Sequence, residues 1–350
     1  MDNTTPSVEV DTTASILVYE RFYEQQILAA IFIIASVFGT VGNSLVIIAV
    51  ASSKNLRTNT NVFVANLAVA DVVTSLFTPW QAVAILGGDD EWPIPGAEWV
   101  CTATAFVNLL TIGCSINNLA LIAVNRWVGI TKSRFTTRRI YTSRKVALMV
   151  IFSWAVPLCC ALIPVVTDVG ELGYEKLYKS CSWVRSNPHQ ETYNMLIAAV
   201  YYPIQLTVVA VSYISIFYFV WKTSQETLET VTNEETRKTI SKRQIDVTKN
   251  LVYVVLAFVA CVTPYFISLV AYADWSYRLV PWGAAILLSN SSVNTIIYAT
   301  SHPDFKKAFR HLLRCQRASR SVVRKMSTAA LHNISTSVTQ ECLDTTNQKA

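Results

Sequence analysis

Residues 62–86 read VFVANLAVADVVTSLFTPWQAVAIL, an apolar run that contains one formally charged side chain, Asp71. The run meets the length of about 20 residues that a membrane-spanning helix needs. A charge at bilayer depth costs about 2.5 kcal/mol or more even on insertion scales, so it persists where a polar network or an ion compensates for it. The run therefore predicts a spanning helix with a functional carboxylate near its middle.

Six further runs are equally apolar and carry no formal charge. They cover residues 27–51, 100–124, 146–167, 193–221, 251–273 and 279–301. The whole chain is 52% hydrophobic and 15% charged, whereas soluble domains have about 25% charged residues. Helices satisfy their own backbone hydrogen bonds inside lipid, so continuous runs of this kind predict helices. The predicted fold class is an all-α membrane protein, a seven-transmembrane helix bundle.

The charges of the connecting segments predict the orientation of the chain. Lys and Arg cluster in the loop after the first run, in the loop at 132–145 and at the start of the C-terminal tail. Such clusters mark the cytoplasmic side. The N-terminus is then outside, in a multi-pass protein of the plasma membrane, and the net charge of +6 reflects basic clusters facing anionic lipid. The chain has no motif that indicates nucleic-acid binding.

Four segments are predicted along the chain: an extracellular N-terminal segment at 1–26, a transmembrane receptor domain at 27–301, a short amphipathic cytoplasmic helix at 302–315 and a disordered tail at 316–350. The helix at 302–315 has an apolar face and a basic face, so it is expected to lie along the membrane surface. The tail is rich in Ser and Thr and too polar to pack.

Two covalent modifications are predicted from this topology. Of the three N-x-S/T sequons, at Asn3, Asn290 and Asn333, only Asn3 is extracellular, so Asn3 is the predicted glycosylation site. Cys315, at the end of the amphipathic helix, is a predicted palmitoylation site, with an unmodified thiol as the alternative.

Two of the eight cysteines lie outside the spans and outside the cytoplasmic tail, namely Cys101 and Cys181. In an oxidising compartment this pair predicts a disulfide that ties the loop before the fifth span to the top of the third. The alternative is two free extracellular thiols.

Each of six spans contains one or more distinctive residues. They are Asn43 in the first, Asn66 and Asp71 in the second, Asn125-Arg126-Trp127 at the end of the third, Trp154 in the fourth, Pro264 in the sixth and Asn294-Thr295-Ile296-Ile297-Tyr298 in the seventh. As a set they resemble the rhodopsin-like (class A) G-protein-coupled receptors, over residues 27–315.

The resemblance implies roles for several residues. Arg126, between Asn125 and Trp127, matches the arginine of the Asp-Arg-Tyr motif at the coupling surface. Asn294 and Tyr298 match the switch of the N-P-x-x-Y motif. The resemblance also implies that Asp71 is a sodium-site carboxylate, that Tyr213 belongs to the switch, and that Cys101 and Cys181 form the family disulfide.

The chain departs from the family pattern at several positions. Asn125 cannot hold the arginine by an ion pair, so the inactive state is expected to be less stable. Val262 replaces the tryptophan of the C-W-x-P motif. Thr295 replaces the usual proline, and its hydroxyl is expected to bond a carbonyl one turn back. Pro203 and Tyr213 are ten apart, where the family shows eight, which leaves a bulge or a shifted register open. The residues at 125 and 295 are similar to those of the melatonin-receptor neighbourhood.

The residues themselves also predict an ion site around Asp71. Ser115, Asn290, Ser291 and Asn294 are small polar residues at comparable depth in other spans. They are expected to converge on the carboxylate and to complete an oxygen-rich site for water or Na⁺, since hard cations prefer such oxygens. The alternative is a protonated structural carboxyl.

The faces of the predicted helices place nine residues around an outer cavity. They are Trp80, Asn108, Leu109, Ile112, Tyr202, Tyr265, Phe266, Leu269 and Trp282. None is charged, which favours a neutral or lipid-like ligand. For each aromatic residue the alternative is helix packing. Residues 279–301 contain no Lys, which argues against a Schiff-base photopigment.

The predicted function is a receptor that converts binding of a small extracellular ligand into activation of a heterotrimeric G protein. The resemblance also implies membrane lipid around the bundle, and arrestin and a receptor kinase acting on the tail. The alternative is an atypical seven-helix receptor that binds or scavenges ligand without coupling. No cofactor is expected apart from allosteric Na⁺. Four scattered histidines, at 189, 302, 311 and 332, form no ligand set, and no enzyme constellation is evident.

Overall fold

The structure is a computed structural model that describes residues 18–87, 91–184, 188–230, 235, 253, 255–271, 273–301, 305–310 and 312. The helices are α1 Phe22–Ser52, α2 Asn59–Leu86, α3 Glu98–Thr131, α4 Arg134–Ile140, α5 Ser143–Val166, α6 Pro188–Leu196, a π-helix Ile197–Tyr201, α7 Tyr202–Thr230, α8 Val255–Val270, α9 Asp274–Ser301 and α10 at 305–310. Within these residues the chain forms the seven-helix bundle that the sequence predicts, with α6, the π-helix and α7 together as the fifth member.

Among the residues that the structure describes, five segments are long and apolar enough to cross a membrane. They lie in Phe22–Ser52, Asn61–Leu86, Glu98–Thr131, Ser143–Val166 and Thr192–Thr227. The sixth helix, α8, is described over a shorter apolar range, and α9 has 28 residues. Large apolar side chains point outward all around the bundle, for example Phe38 at 65%, Leu148 at 64% and Ile214 at 66% exposure. An outer surface of this kind suits lipid.

Two of the helices begin at a capping side chain. The Thr58 hydroxyl accepts a hydrogen bond from the backbone N–H of Asn61 at the start of α2. The Ser133 hydroxyl accepts one from the backbone N–H of Thr136 at the start of α4. Such caps satisfy a donor that the first turn leaves free, so they set where these two helices begin.

Glycines allow close helix contacts on both sides of α2. A Cβ at Gly42 of α1 would come within 2.7 Å of the Thr295 side chain on α9. A Cβ at Gly113 of α3 would come within 2.5 Å of Pro157 on α5. Both distances are shorter than van der Waals contact, so these helices approach each other this closely only because the residues lack a side chain.

An antiparallel hairpin joins α5 to α6, and the sequence analysis did not predict it. Its strands are β1 Glu171–Glu175 and β2 Ser180–Val184, with Tyr174 opposite Cys181. A disulfide links Cys181 to Cys101 at the start of α3, with the two Cα atoms 5.0 Å apart. The predicted disulfide is confirmed, and it ties the hairpin to one end of the bundle.

The short helix α10 lies against the opposite end. Phe305 is fully buried and Phe309 nearly so, whereas Lys306 and Lys307 are exposed. The Phe305 ring lies 5.5 Å from that of Tyr298, centroid to centroid. The described part of the predicted amphipathic segment therefore presents an apolar face to the bundle and a basic face outward.

Three predictions concern residues outside those that the structure describes: glycosylation of Asn3, palmitoylation of Cys315 and disorder of the tail at 316–350.

Candidate functional site

Asp71 is fully buried at the middle of the bundle. Ser115 of α3 donates a hydrogen bond of 2.8 Å to its Oδ1, and Ser291 of α9 donates one of 3.3 Å to the same atom. The amide nitrogen of Asn294 donates to Oδ2 over 2.9 Å. Asn290 is also buried, but within the described residues it makes no hydrogen bond to Asp71. Three of the four expected partners thus converge on the carboxylate from α3 and α9.

The surroundings of Asp71 are polar but uncharged. Asn43 of α1 donates to the backbone oxygen of Ser291 over 2.8 Å, while its own Oδ1 is buried without a partner. In the part of the chain that the structure describes, no ion pair involves Asp71. Ser115 and Ser291 supply hydroxyl oxygens beside a carboxylate, the donor type that hard cations prefer. The cluster is therefore chemically able to hold either a proton or a small hard cation.

A second cluster joins α3, α7 and α9 near the end of the bundle against which α10 packs. Arg126, Tyr213, Asn294 and Tyr298 line one cavity of about 20 Å³, close to the space that one water molecule needs. The rest of its wall is apolar. Four of the expected switch residues therefore surround one small void.

Asn125 is engaged away from the neighbouring arginine. Its buried side chain lies near the hydroxyl of Tyr141, in the segment between α4 and α5. Burial raises the pKa of the Tyr141 phenol, and the nearby Asn125 amide acts in the opposite direction. Asn59 holds the backbone oxygen of Tyr141 at 2.9 Å, and the Phe63 ring meets the Tyr141 ring edge-on. Asn125 therefore anchors a loop instead of restraining the arginine.

Trp127, the third member of the predicted coupling motif, is partly buried. The ammonium of Lys132 lies 5.5 Å from the centroid of its ring. Trp127 packs against two apolar clusters, which include Val128 of its own helix and Tyr213 of α7. It does not line the cavity around Arg126.

A π-helix lies in the fifth span at Ile197–Tyr201. A π-helix adds a residue to a helical turn, so it rotates every residue that follows. It ends before Pro203, so it does not explain the ten-residue spacing from Pro203 to Tyr213, which lies within the regular helix α7. Tyr213 nevertheless lines the small cavity together with Arg126.

Thr295 behaves differently from the expectation. Its hydroxyl oxygen is buried and has no hydrogen-bond partner among the described residues, so the predicted bond to a carbonyl one turn back is not formed. The Thr295 side chain faces Gly42 of α1 instead. The close contact with α1 orients this side chain, which the residue pattern of α9 alone does not reveal.

A larger cavity of about 240 Å³ lies beneath the hairpin. Six of the nine expected residues line it: Asn108, Leu109, Ile112, Tyr265, Phe266 and Leu269. Most of the remaining wall is apolar, with Tyr201, Cys160, Ile116, Ala284 and Leu288 among its members. The hairpin adds one cationic side chain, that of Lys179. An apolar cavity with a few polar groups is the usual form of a small-ligand site.

Three of the expected cavity residues are used elsewhere. Tyr202 is buried, shares a short hydrogen bond with Thr263 and stacks on Phe266. Because the π-helix rotates the chain, Tyr201 instead of Tyr202 faces the cavity. Trp80 packs beside the disulfide, and Trp282 packs against α1 and α2. Both tryptophans therefore pack between helices, which is the alternative to ligand contact given in the sequence analysis.

The hairpin covers the cavity, and Gln81 of α2 binds the hairpin in this position. Its Nε2 donates to the backbone oxygen of Cys181 over 2.8 Å, and its Oε1 accepts from the N–H of the same residue over 3.0 Å. Tyr19, before α1, donates to the backbone oxygen of Tyr178 over 2.6 Å. The sequence analysis missed both residues, since they act through backbone atoms that a residue pattern does not show.

Comparison with known proteins gives the same class. A family model described as "7 transmembrane receptor (rhodopsin family)" matches residues 42–298. Melanopsin of Rutilus rutilus is 31% identical over 294 residues, which are 81% of this chain and 57% of the relative. A GQ-coupled rhodopsin of Mizuhopecten yessoensis is 30% identical over 288 residues, 79% of this chain and 57% of the relative. The chain thus spans little more than half the length of these relatives.

Other relatives are of similar length. Melatonin receptor type 1B-B of Danio rerio is 29% identical over 312 residues, covering 87% of this chain and 86% of the relative. The crystal structure of squid rhodopsin matches with a TM-score of 0.66 at 20% identity, over 84% of this chain and 87% of that one. The fold and the helix clusters define a multi-pass seven-helix membrane receptor. The chain belongs to the rhodopsin family of seven-transmembrane receptors.

Proposed function

We propose that this protein is a G-protein-coupled receptor: a small neutral or lipid-like ligand in the cavity beneath the hairpin shifts the bundle toward a form that activates a heterotrimeric G protein. A ligand shifts such an equilibrium only through different affinities for the two forms. The observation that carries the proposal is the position of Arg126. Arg126 of α3 lines one small cavity together with Tyr213 of α7 and Tyr298 of α9, and separation of these three helices would open a cytoplasmic cleft.

The charges around Arg126 support this reading. Its neighbour in the chain, Asn125, is neutral and lies buried near Tyr141. Within the described residues no ion pair holds Arg126. The free energy that would keep the arginine in a closed form is therefore small, and we expect measurable activity without ligand.

The cavity supports a neutral ligand. Its walls are chiefly apolar, and among the described residues the one cationic lining side chain, Lys179, comes from the hairpin. Helix α9 contains no lysine, so a pigment bound as a Schiff base to this helix is not proposed, although several relatives are named melanopsin or rhodopsin.

The Asp71 cluster supports a role in regulation. The Ser115 and Ser291 hydroxyls and the carboxylate provide oxygen ligands that fit Na⁺, with Asn294 orienting the carboxylate. A cation bound there would stabilise whichever form keeps α2, α3 and α9 together. Asn290, which makes no bond to Asp71, is not included in the proposed site.

The proposed placement is the plasma membrane, with the hairpin outside and α4 in the cytoplasm. The Cys101–Cys181 disulfide supports this, since disulfides persist in oxidising compartments. The basic residues Arg138 and Arg139 in the last turn of α4 lie at the other end of the bundle, where the positive-inside rule expects them. Arrestin, a receptor kinase and membrane lipid are further proposed partners.

Nucleotide exchange on a panel of co-expressed heterotrimeric G proteins tests the function. We expect exchange above that of empty membranes for at least one G protein, and its loss in Arg126→Ala. Arg57→Ala is the control, since Arg57 donates to the backbone oxygen of Ala51 in the last turn of α1 and lies outside the cavity around Arg126. A folded receptor that gives no exchange on any member of the panel would favour the alternative, a seven-helix receptor that binds ligand without coupling.

A further inference from the structure

Residues 18–21, which we call the strap, directly precede α1 and lie between two cavities. Tyr19 of the strap and Lys179 of the hairpin turn line the cavity of about 240 Å³ beneath the hairpin, and they also line a second cavity of about 330 Å³. The wall of the second cavity includes Gln25 in the first turn of α1 and Gly87 at the end of α2. It therefore lies at the hairpin end of the bundle, and the two shared residues separate it from the inner cavity.

The strap bridges the mouth of the inner cavity from the hairpin to α9. The Tyr19 hydroxyl donates to the backbone oxygen of Tyr178 in the hairpin over 2.6 Å. The Glu20 carboxylate pairs with the Arg278 guanidinium in the first turns of α9, and both side chains are about half exposed. An exposed ion pair shifts an equilibrium by about fivefold at most. A neutral hydrogen bond shifts one by about two- to tenfold.

The hairpin beside the strap is held much more firmly. The Cys101–Cys181 disulfide ties it to α3. Gln81 of α2 binds both backbone groups of Cys181. Opening the cover at the hairpin would require these bonds to break together, whereas the strap is released by the loss of two weak contacts and the exposure of Val18, which is buried. Within the described cover, the strap is therefore the part that moves most easily.

We propose that the strap is a gate: it swings away from Tyr178 and Arg278 to admit the ligand from the outer cavity, and it closes again once the ligand is bound. The inference rests on the proposed ligand-binding role of the inner cavity and adds its route of entry. Segments that move on ligand binding come from the least stable parts of a fold. A gate of this kind changes the rates of binding and dissociation together, so it sets how long a ligand stays more than how tightly it binds.

A native cysteine reports on this gate without any ligand. Cys160 of α5 lines the inner cavity and is partly exposed, whereas Cys114 and Cys261 are buried. The trimethylammonium reagent MTSET does not cross lipid because it carries a permanent charge. It forms a disulfide with a cysteine thiolate and releases methanesulfinate. Applied from outside the cell, it reaches Cys160 only through the mouth of the cavity.

The test measures the rate constant of this modification for the full-length receptor on intact cells. Each receptor is compared with the same receptor carrying Cys160→Ala, and the difference is the reaction at Cys160. Tyr19→Phe keeps the ring and loses the bond to Tyr178, so we expect it to raise the rate about two- to tenfold. Glu20→Gln loses the ion pair, so we expect a rise of about two- to fivefold. The double variant is expected to show about the product of the two factors.

Tyr23→Phe is the matched control. It removes a hydroxyl from an aromatic residue that is 49% exposed just beyond the strap, so we expect the wild-type rate. Equal rates in the wild type, Tyr19→Phe and Glu20→Gln would overturn the gate, and so would no reaction at Cys160 in any of them. An equal rise in Tyr23→Phe, or a rise that persists in the Cys160→Ala background, would reject it as well, because either result indicates general loosening of the fold.

The outcome is independent of ligand and of signalling, because neither a ligand nor a G protein takes part in the reaction at Cys160. Rates that ignore the strap, together with nucleotide exchange that depends on Arg126, would reject the gate and retain the receptor function. Faster modification in the strap variants without any exchange would reject coupling and retain the gate.

Discussion

The Tyr201 hydroxyl donates a 2.6 Å hydrogen bond to the side-chain oxygen of Asn117. Tyr201 is the last residue of the π-helix and lines the outer cavity, and Asn117 lies on α3 and donates in turn to the backbone oxygen of Ser153 on α5 over 3.2 Å. The wall of the cavity is thus bonded to two other spanning helices. An extra residue in a helical turn, which is costly by itself, is kept in place by this bond.

Removing the hydroxyl tests whether the bond holds the π-helix. Tyr201→Phe leaves the Asn117 Oδ1 buried and without this partner, which costs about 1–3 kcal/mol. We expect a lower unfolding temperature by several degrees, measured by thermal unfolding of the purified receptor. Tyr218→Phe is the control, because Tyr218 is 60% exposed on the outer face of α7. Equal unfolding temperatures for the two variants would contradict this role of Tyr201.

The bundle itself was predictable, because the cost of burying charge and backbone in lipid acts on every residue of a span. Each of the seven apolar runs overlaps one member of the helix bundle, although several helices extend beyond their runs, and the lone carboxylate at Asp71 is surrounded by hydroxyl and amide groups. The π-helix at Ile197–Tyr201 was not predictable from composition. A single extra residue leaves the apolar pattern of a span intact while rotating the faces, so Tyr202 was assigned to the cavity where Tyr201 lies.

Placing an acidic residue beside Arg126 tests whether the missing ion pair raises basal activity. In Asn125→Asp the new carboxylate would attract the Arg126 guanidinium, while its oxygens can still accept a hydrogen bond from the Tyr141 hydroxyl. An ion pair worth about 1 kcal/mol lowers the active population about fivefold. We expect basal G-protein exchange to fall by about this factor.

Asn125→Leu serves as the control for this change. It removes the polar contact with Tyr141 and adds no charge next to the arginine. We expect its basal exchange to stay at or above that of the wild type. The same fall in both variants would show that the Tyr141 contact, and not the missing ion pair, sets basal activity.

The site residues that the sequence analysis missed act mainly through contacts with backbone atoms. Gln81 binds both backbone groups of Cys181, and Tyr19 binds the backbone oxygen of Tyr178. The position of a carbonyl or an N–H depends on how the hairpin folds, and any residue type supplies them. The partners of Asp71 were easier to predict, because side-chain donors on known helix faces are fixed by the sequence itself.

Neutralising Asp71 tests the proposed cation site. Thermal unfolding is compared in sodium chloride and in choline chloride, whose cation is too large for the cluster. We expect sodium to raise the unfolding temperature of the wild type, since a ligand that binds the folded form stabilises it. Asp71→Asn removes the charge and is expected to unfold at the same temperature in both salts.

Asp168→Asn, near the hairpin and outside the Asp71 cluster, serves as the control and is expected to keep the sodium response. A wild type that is indifferent to sodium, or an Asp71→Asn variant that still responds, would reject the site. Either result would leave Asp71 as a buried carboxyl held by Ser115, Ser291 and Asn294.

The close contact of α3 with α5 gives a prediction with a control in the same helix. In Gly113→Ala the new Cβ would lie 2.5 Å from the Pro157 side chain, and Pro157 has no flexible end that can move aside. Overpacking of this kind costs about 1–3 kcal/mol. Gly129→Ala meets nothing within 4 Å and reduces the freedom of the unfolded chain, so it is expected to stabilise by about 0.4–1 kcal/mol. Thermal unfolding of the two variants should therefore shift in opposite directions, and a destabilised Gly129→Ala or an unaffected Gly113→Ala would contradict the close packing of α3 on α5.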